Sequence, residues 1–385
     1  MAGKRAGRHV AVRVGAALSL SGRYAAQGEQ ARRGLALWVE DVNAAGGLLV
    51  RDRGARLPLE LLVYDDASHP GQSAAYAERL LSDDQVALLF GPYSSVLALA
   101  VAPVAERHRK VLWNHGGATD AVGRAGFRWV VSLLSPASQY FVAILAMVRA
   151  YAPAARRVAL AYGPRGTFPR AVCAGAMAYA PAHGFAVVLH APYPPTEAAL
   201  PALVEAIVAR RAAVVLGVGE LPADLAFARQ LRLHGVRAPV LGVVAAAVTP
   251  FQQVLGAAAE GFVGPSQWEP GARYQPDVGP TSAQFAARFH ERFGQPPDYP
   301  AAQAYAAGLI AQACVERAGT LADAALRAAA ETLALTTFYG AFRLDPATGA
   351  QVGHQLLVVQ WQGGAKRIVW PPALAEAPFR LPTAS

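Results

Sequence analysis

The strongest constraint in this chain is its rhythm. Short apolar runs of strand character alternate with segments whose apolar residues recur at helical spacing. Residues 10–18 read as a strand, and Ala31, Leu35, Trp38, Val39 and Val42 share one face of a helix over 27–44. Asn43-Ala44-Ala45-Gly46-Gly47 stops that helix, glycine supplying the left-handed cap. Strands follow at 57–64, 86–90 and 111–113, with helices at 70–82 and 96–108 between them. After 129–131 a second run begins, with strands at 157–162, 186–190, 213–218 and 240–244 and helices at 168–183, 200–211 and 222–234. Residues 260–267 read as extended, helices follow at 281–293, 299–318 and 321–333, and strands at 338–344 and 355–360 close the pattern before a turn at Gly363-Gly364. Near-continuous apolar strands with helical crossovers predict an α/β fold with parallel sheets covered on both faces. At 385 residues, two doubly wound Rossmann-like lobes joined by several extended crossovers fit this order.

Composition narrows the function classes. Hydrophobic residues make up 54% and charged residues 16%, enough to fill two cores. The formal net charge of +9 raises nucleic acid as a partner. The distribution argues against it: every basic residue except Lys4, Lys110 and Lys366 is arginine, placed singly or in pairs such as Arg156-Arg157 and Arg210-Arg211. No basic run is interleaved with aromatics as a nucleic-acid platform needs. Cys173 and Cys314 are the only cysteines, which excludes a disulfide framework and any CxxC site. No apolar run reaches the ~20 residues that span a bilayer, so no membrane insertion is expected. The N-terminal stretch is expected to be a short basic tail entering a first strand and not a secretion signal, because Arg13 interrupts it and Val10, Val12 and Val14 alternate.

Two loops carry candidate chemistry. Gly91-Pro92-Tyr93-Ser94-Ser95 ends one strand where a helix starts. Its serines can cap that helix, or offer hydroxyl and N–H groups to a carboxylate at the positive helix end. Trp113-Asn114-His115-Gly116-Gly117-Ala118-Thr119 follows the next strand. There paired glycines let the backbone approach a small molecule closely, at the carboxyl edge where open α/β sheets bind ligands. Enzyme signatures are missing: no GxSxG, HExxH or P-loop occurs, the nine histidines are isolated, and His115 has no second metal ligand at useful spacing. Asp65-Asp66 point to opposite faces of a strand end, and one of them is expected to cap the next helix. Gly217-Val218-Gly219 lacks the third glycine of a dinucleotide loop. The chain is therefore read as a non-enzyme without cofactor or metal.

Taken in order, the segments resemble type I periplasmic binding proteins, the branched-chain amino acid and amide receptors of ABC transporters. The likeness runs from about Val12 to about Trp361. It is carried by Gly15-Ala-Ala-Leu-Ser-Leu-Ser-Gly22, Gln27-Gly28, Gly34 through Asp41-Val-Asn-Ala-Ala-Gly-Gly47, Tyr64-Asp65-Asp66-Ala67, Pro70, Gly91-Pro-Tyr-Ser-Ser95 and Ala102-Pro103-Val104-Ala105-Glu106. Later come Ala259-Glu260-Gly261, Phe285 to Phe293-Gly294, Ala304-Tyr305, and Phe338-Tyr-Gly340 with Phe342 and Asp345. The resemblance implies a first lobe of residues 10–131 plus 268–337 and a second of 132–267 plus 338–375, with a ligand cleft between them. Three crossovers are expected near 132–135, 261–267 and 338–342, with Pro136 and Gly340 as hinge residues. It implies an extracytoplasmic, monomeric receptor that hands a small solute to an ABC permease and its ATPase subunits. Ligand contacts are implied at Gln27, Tyr93, Ser94, Ser95, His115, Gly116, Gly117, Ala118, Thr119, Phe168, Glu220, Val244 and Trp268.

Two departures bear on the ligand. Val244 stands where branched-chain receptors carry the acidic partner of the α-ammonium. Ser68 and Ser94 stand where some members carry a disulfide. An organic acid or amide, with Tyr93, Trp113, Phe168, Trp268 and Tyr299 available as an aromatic wall, is expected over leucine or valine, unless Glu220 replaces the missing carboxylate. A cytoplasmic amide-type sensor that regulates a protein partner is the alternative reading.

Overall fold

The structure, a computed structural model, describes residues 11–381. The basic stretch before Ala11, including Val10, lies outside the described residues. The described chain divides into two units: 11–117, 121–134 and 275–354 form the first, and 118–120, 135–274 and 355–381 the second.

In the first unit five parallel strands lie in the spatial order Leu59–Asp65, Val12–Leu18, Leu88–Phe90, Leu112–Asn114, Val130–Ser132. The chain starts inside the sheet, steps to one side and then builds outward on the other. The order therefore reverses between Val12–Leu18 and Leu88–Phe90, and a crevice opens beyond the carboxyl ends of these two strands. Helix Ala25–Ala44 covers one face and packs along helix Tyr299–Ala318. Contact is close because glycines line it: a Cβ at Gly34 would lie 2.2 Å from the Ala301 carbonyl oxygen, and one at Gly308 2.2 Å from the Trp38 ring. Helices Pro70–Ser82 and Ser95–His108 cover the opposite face over Leu80, Val86, Leu89 and Val101.

The second unit repeats the plan. Its parallel strands lie in the order Val263–Ser266, Val240–Val243, Val214–Val218, Arg157–Tyr162, Ala186–Pro192, with the reversal between Arg157–Tyr162 and Val214–Val218. The antiparallel pair Leu357–Gln362 and Ala365–Trp370, turned by Gly363-Gly364, extends the sheet beyond Val263–Ser266.

The α/β class and parallel sheets are as the sequence predicts; the passages between units are not. Apart from the short excursion at 118–120, the chain changes unit after 134, 274 and 354. Only the first passage falls where expected. Residues 261–267 are mostly an interior strand, Val263–Ser266. Phe338 is fully buried in the first unit, stacked on Phe285 at 4.5 Å and edge-on to Tyr305, so 338–342 stays with that unit. Gly340 sits in the hairpin Leu335–Thr337/Gly340–Phe342 and not at a passage, and Trp268 belongs to the second unit.

Candidate functional site

The first unit's crevice is built by turns that need special residues. Ser94 has φ +95° and ψ 148°, a conformation rarely held by a non-glycine residue and one that marks functional turns. Three contacts fix it. Its N–H donates to the Gly116 carbonyl (3.2 Å), its carbonyl accepts from Ala98 N–H (3.0 Å), and its Oγ accepts from Leu97 N–H (3.4 Å) as N-cap of helix Ser95–His108. Ser94 is thus the cap, and Ser95 is the first helical residue, at the end where N–H groups and the helix dipole favour an anion. Gly116 must be glycine, since a Cβ would meet Pro92 O at 2.3 Å and Tyr93 Cα at 2.6 Å. The two candidate loops are therefore in direct contact.

Asn114 sets the second loop. Its Oδ1 accepts Gly117 N–H (2.9 Å), while its Nδ2 donates to the Gly117 carbonyl (2.9 Å) and to Ser132 Oγ (3.0 Å). Beside it His115 is wholly buried, and neither ring nitrogen has a partner in good hydrogen-bond geometry. Burial drives its pKa down to about 4, against the backbone at Gly91 and at His115 itself. The imidazole is neutral at pH 7.

Tyr93 hydrogen-bonds Tyr299 hydroxyl to hydroxyl, and Tyr24 lies edge-on to it at 5.7 Å. Burial pushes the Tyr93 phenol up to about 12, against that hydrogen bond. Gln27, one turn beyond Tyr24 on helix Ala25–Ala44, is half-buried with Oε1 enclosed and unpartnered. Trp113 is completely buried, with Nε1 unpartnered, on the strand Leu112–Asn114 that leads into the second loop.

The neighbouring Asp65-Asp66 pair fastens loops. Asp65 accepts N–H groups of Leu20, Ser21 and Ala67, and these hydrogen bonds outweigh desolvation to hold its carboxyl low. Buried Asp66 accepts Ser19 and Ser73 hydroxyls at 2.6 Å each and Ser68 N–H at 2.9 Å. Neither carboxylate is the helix cap; His69 holds that position without a side-chain bond.

In the second unit Ala118 accepts Ala137 N–H (2.7 Å), and Thr119 Oγ1 donates to Thr167 Oγ1 (3.2 Å). Phe168, half-buried at the start of helix Phe168–Ala182, meets Tyr140 edge-on at 5.2 Å. Glu220 is the exposed N-cap residue of helix Leu221–Leu233. Both lie at carboxyl ends of the strands that flank this unit's reversal. Trp268 is 2% exposed, and its carbonyl accepts the Ser266 hydroxyl (2.9 Å). Val244 is half-buried at the end of Val240–Val243, where the buried Asp224 carboxylate accepts the next N–H, that of Ala245.

Sequence reasoning missed Asp224. Fully buried, it accepts the Tyr193 hydroxyl (2.8 Å) and Ala245 N–H (3.0 Å), tying two strand ends together. Burial raises its pKa to about 7, although the hydrogen bonds from Ala245, Tyr193 and Gly219 oppose the rise. Among the described residues no group of three His, Cys, Asp or Glu could hold a metal, and no helix is long and apolar enough to cross a membrane.

A family model described as periplasmic binding protein matches residues 11–366. The chain belongs to the periplasmic binding protein family. This is a ligand-binding, non-enzymatic family. Among curated proteins it is similar to Leu/Ile/Val-binding protein homolog 8 of Brucella abortus, 34% identical over 119 residues, which is 31% of this chain and 28% of that protein's length. Among solved structures it is similar to the branched-chain amino acid transporter substrate binding protein LivJ of Streptococcus pneumoniae in complex with isoleucine, with TM-score 0.76 and 18% identity over 94% of this chain and all of that one. It is similar also to an ABC transporter solute binding protein of R. palustris in complex with benzoate, with TM-score 0.73 and 21% identity over 97% and 98%. Identities this low show a shared fold. That fold holds an aliphatic amino acid in one relative and an aromatic acid in another, so the ligand has to be argued from side chains.

Proposed function

We propose that this chain is the extracytoplasmic receptor of an ABC importer and that its solute is a small organic acid or amide, aromatic ones included, in preference to a branched-chain amino acid. The supporting observation is the turn at Ser94: a strained cap residue, locked to Gly116, at the start of a 14-residue helix. The ligand carboxylate or amide oxygen lies at the Ser95 end of that helix, where N–H groups and dipole attract it without a cationic side chain. Gly116 and Gly117 offer backbone groups beside it. Gln27, His115, Ala118, Thr119 and Phe168 are the further proposed contacts, Phe168 supplying an aromatic surface, while Glu220, exposed at its helix N-cap, is not one of them in this reading.

Val244 speaks for the ligand class. An α-ammonium buried without a partner costs several kcal/mol, and Val244 supplies none. The two units close on the ligand, and the permease reads the closed state.

A thermal-shift screen followed by calorimetry tests this, with amino acids, primary amides, benzoate-type acids and short aliphatic acids as arms. At least one acid or amide without an α-ammonium should bind more tightly than leucine, and Ser95→Ala should weaken it by about tenfold, the loss of one hydrogen bond to a charged group. Micromolar leucine binding with no response to any non-amino acid would overturn the ligand class. Solution scattering that showed no compaction on binding would overturn closure.

A further inference from the structure

The second unit contains fourteen Lys and Arg against eight Asp and Glu, and two of those acids, Asp224 and Glu269, are buried. Its surplus gathers on one edge. Arg157 opens the strand Arg157–Tyr162; its carbonyl accepts Ala213 N–H, and Ala213 O in turn accepts Val240 N–H, which aligns the amino ends of three strands. Arg156 precedes and Arg157 opens the first of these strands, Arg210 and Arg211 precede the second, and Arg237 the third. Arg156, Arg157 and Arg210 spend hydrogen bonds on backbone carbonyls of His183, Arg210 and Ala206, and Arg156 also lies over the Phe185 ring. None of Arg156, Arg157, Arg210 and Arg211 is ion-paired with a carboxylate. Two large apolar side chains stand out at the same edge: Val208, 53% exposed beside Arg210, and Leu233, 71% exposed near Arg237.

We infer that this amino-end edge docks on an anionic phospholipid bilayer. Unpaired guanidinium groups still carry full charge toward solvent, and basic residues near an anionic membrane each add about fivefold to partitioning. Val208 and Leu233, set between them, gain by entering the headgroup boundary, as apolar residues on basic interfacial surfaces do. Nucleic acid would use the charge but leave both aliphatic side chains in water. This inference concerns a surface away from the ligand-binding turns and does not depend on the proposed ligand.

Co-sedimentation of the full chain with vesicles of phosphatidylcholine alone, or with phosphatidylglycerol added, provides the test. Binding should need phosphatidylglycerol and weaken as salt rises. Arg157→Gln/Arg210→Gln/Arg211→Gln should weaken it about a hundredfold. Arg53→Gln/Arg124→Gln/Arg317→Gln, an equal charge loss on exposed residues of the first unit, should weaken it far less. Leu233→Ser should cut the part that survives high salt. Equal losses in the two triple variants would reduce the effect to net charge and overturn the inference. Equal binding to both vesicle types, or binding of a DNA duplex without binding of anionic vesicles, would overturn it as well.

Discussion

At the scale of single residues, the two asparagines carry an unusual share of the architecture. Asn43 donates to the Leu59 carbonyl (3.0 Å) and accepts Leu59 N–H (2.7 Å); Asn114 does the same for Gly117. Each amide mimics a strand partner for one peptide unit. Gln267 repeats the device on Ser135, accepting its N–H and donating to its carbonyl. Asn114→Ala strands two buried backbone groups and should cost about 3 kcal/mol, at ~1–3 kcal/mol per unsatisfied group. Denaturant midpoints measure that cost, and Asn114→Asp at pH 7, which sets a buried carboxylate against the Gly117 carbonyl, should cost more than Asn114→Ala. The loop itself is legible in the sequence, because an asparagine before paired glycine after a strand signals a tight turn. The clamp is not legible, because an amide that closes on its own loop looks the same in sequence as one that faces solvent. Asp224 is harder still: its partners Tyr193 and Ala245 are 31 and 21 residues away, and no local pattern links them.

At the scale of elements, most helices are legible, among them the strongly apolar Leu200–Ala209 and the deeply buried Tyr299–Ala318. The stripe Ala31, Leu35, Trp38, Val39, Val42 announces helix Ala25–Ala44. Gln139–Tyr151, nearly all apolar, goes unread, as do the hairpin Leu48–Val50/Ala55–Leu57 and the last strand Ala365–Trp370. The chain's passages between units are misplaced because the Phe285–Tyr305–Phe338 cluster that holds 338–342 in place forms only in three dimensions. Glycine spacing hides information of the same kind. Gly34→Ala gains ~1 kcal/mol in helix propensity. It also drives a methyl against the Ala301 backbone at 2.2 Å, which cannot yield as a side-chain tip can. A net loss of about 2 kcal/mol is expected, in the range for overpacking. Gly71→Ala meets only the His69 ring at 3.2 Å and should be neutral or stabilising. Thermal melts of the two variants separate these outcomes, and equal effects would remove close helix packing as the reason for Gly34.

At the scale of the molecule, the two units should answer acid in opposite directions. His115, in the first unit, has its pKa lowered from 6.5 to about 4. As pH falls through that window the unfolded chain takes up a proton that the folded unit refuses, so stability is lost, by about 3 kcal/mol at ~1.4 kcal/mol per pH unit. Asp65, Glu29 and Glu78 add to this at lower pH, because their hydrogen bonds and ion pairs hold their carboxyls low in the fold; Asp41, raised by burial, subtracts from it. Asp224, in the second unit, has its pKa raised from 3.8 to about 7. Its unfolded carboxyl ionises as pH rises through that window while the folded one keeps its proton, so stability is lost on the way up and regained on acidification, by up to about 4 kcal/mol. Hydrogen exchange resolved by peptide, at pH 7 and pH 4.5 after correction for the intrinsic rate, reads each unit separately. Acidification should lower protection in the first unit and raise it in the second. His115→Gln should flatten the first response and leave the second; Asp224→Asn should do the reverse. Parallel responses in both units would mean that these two buried groups do not govern the acid behaviour of the fold.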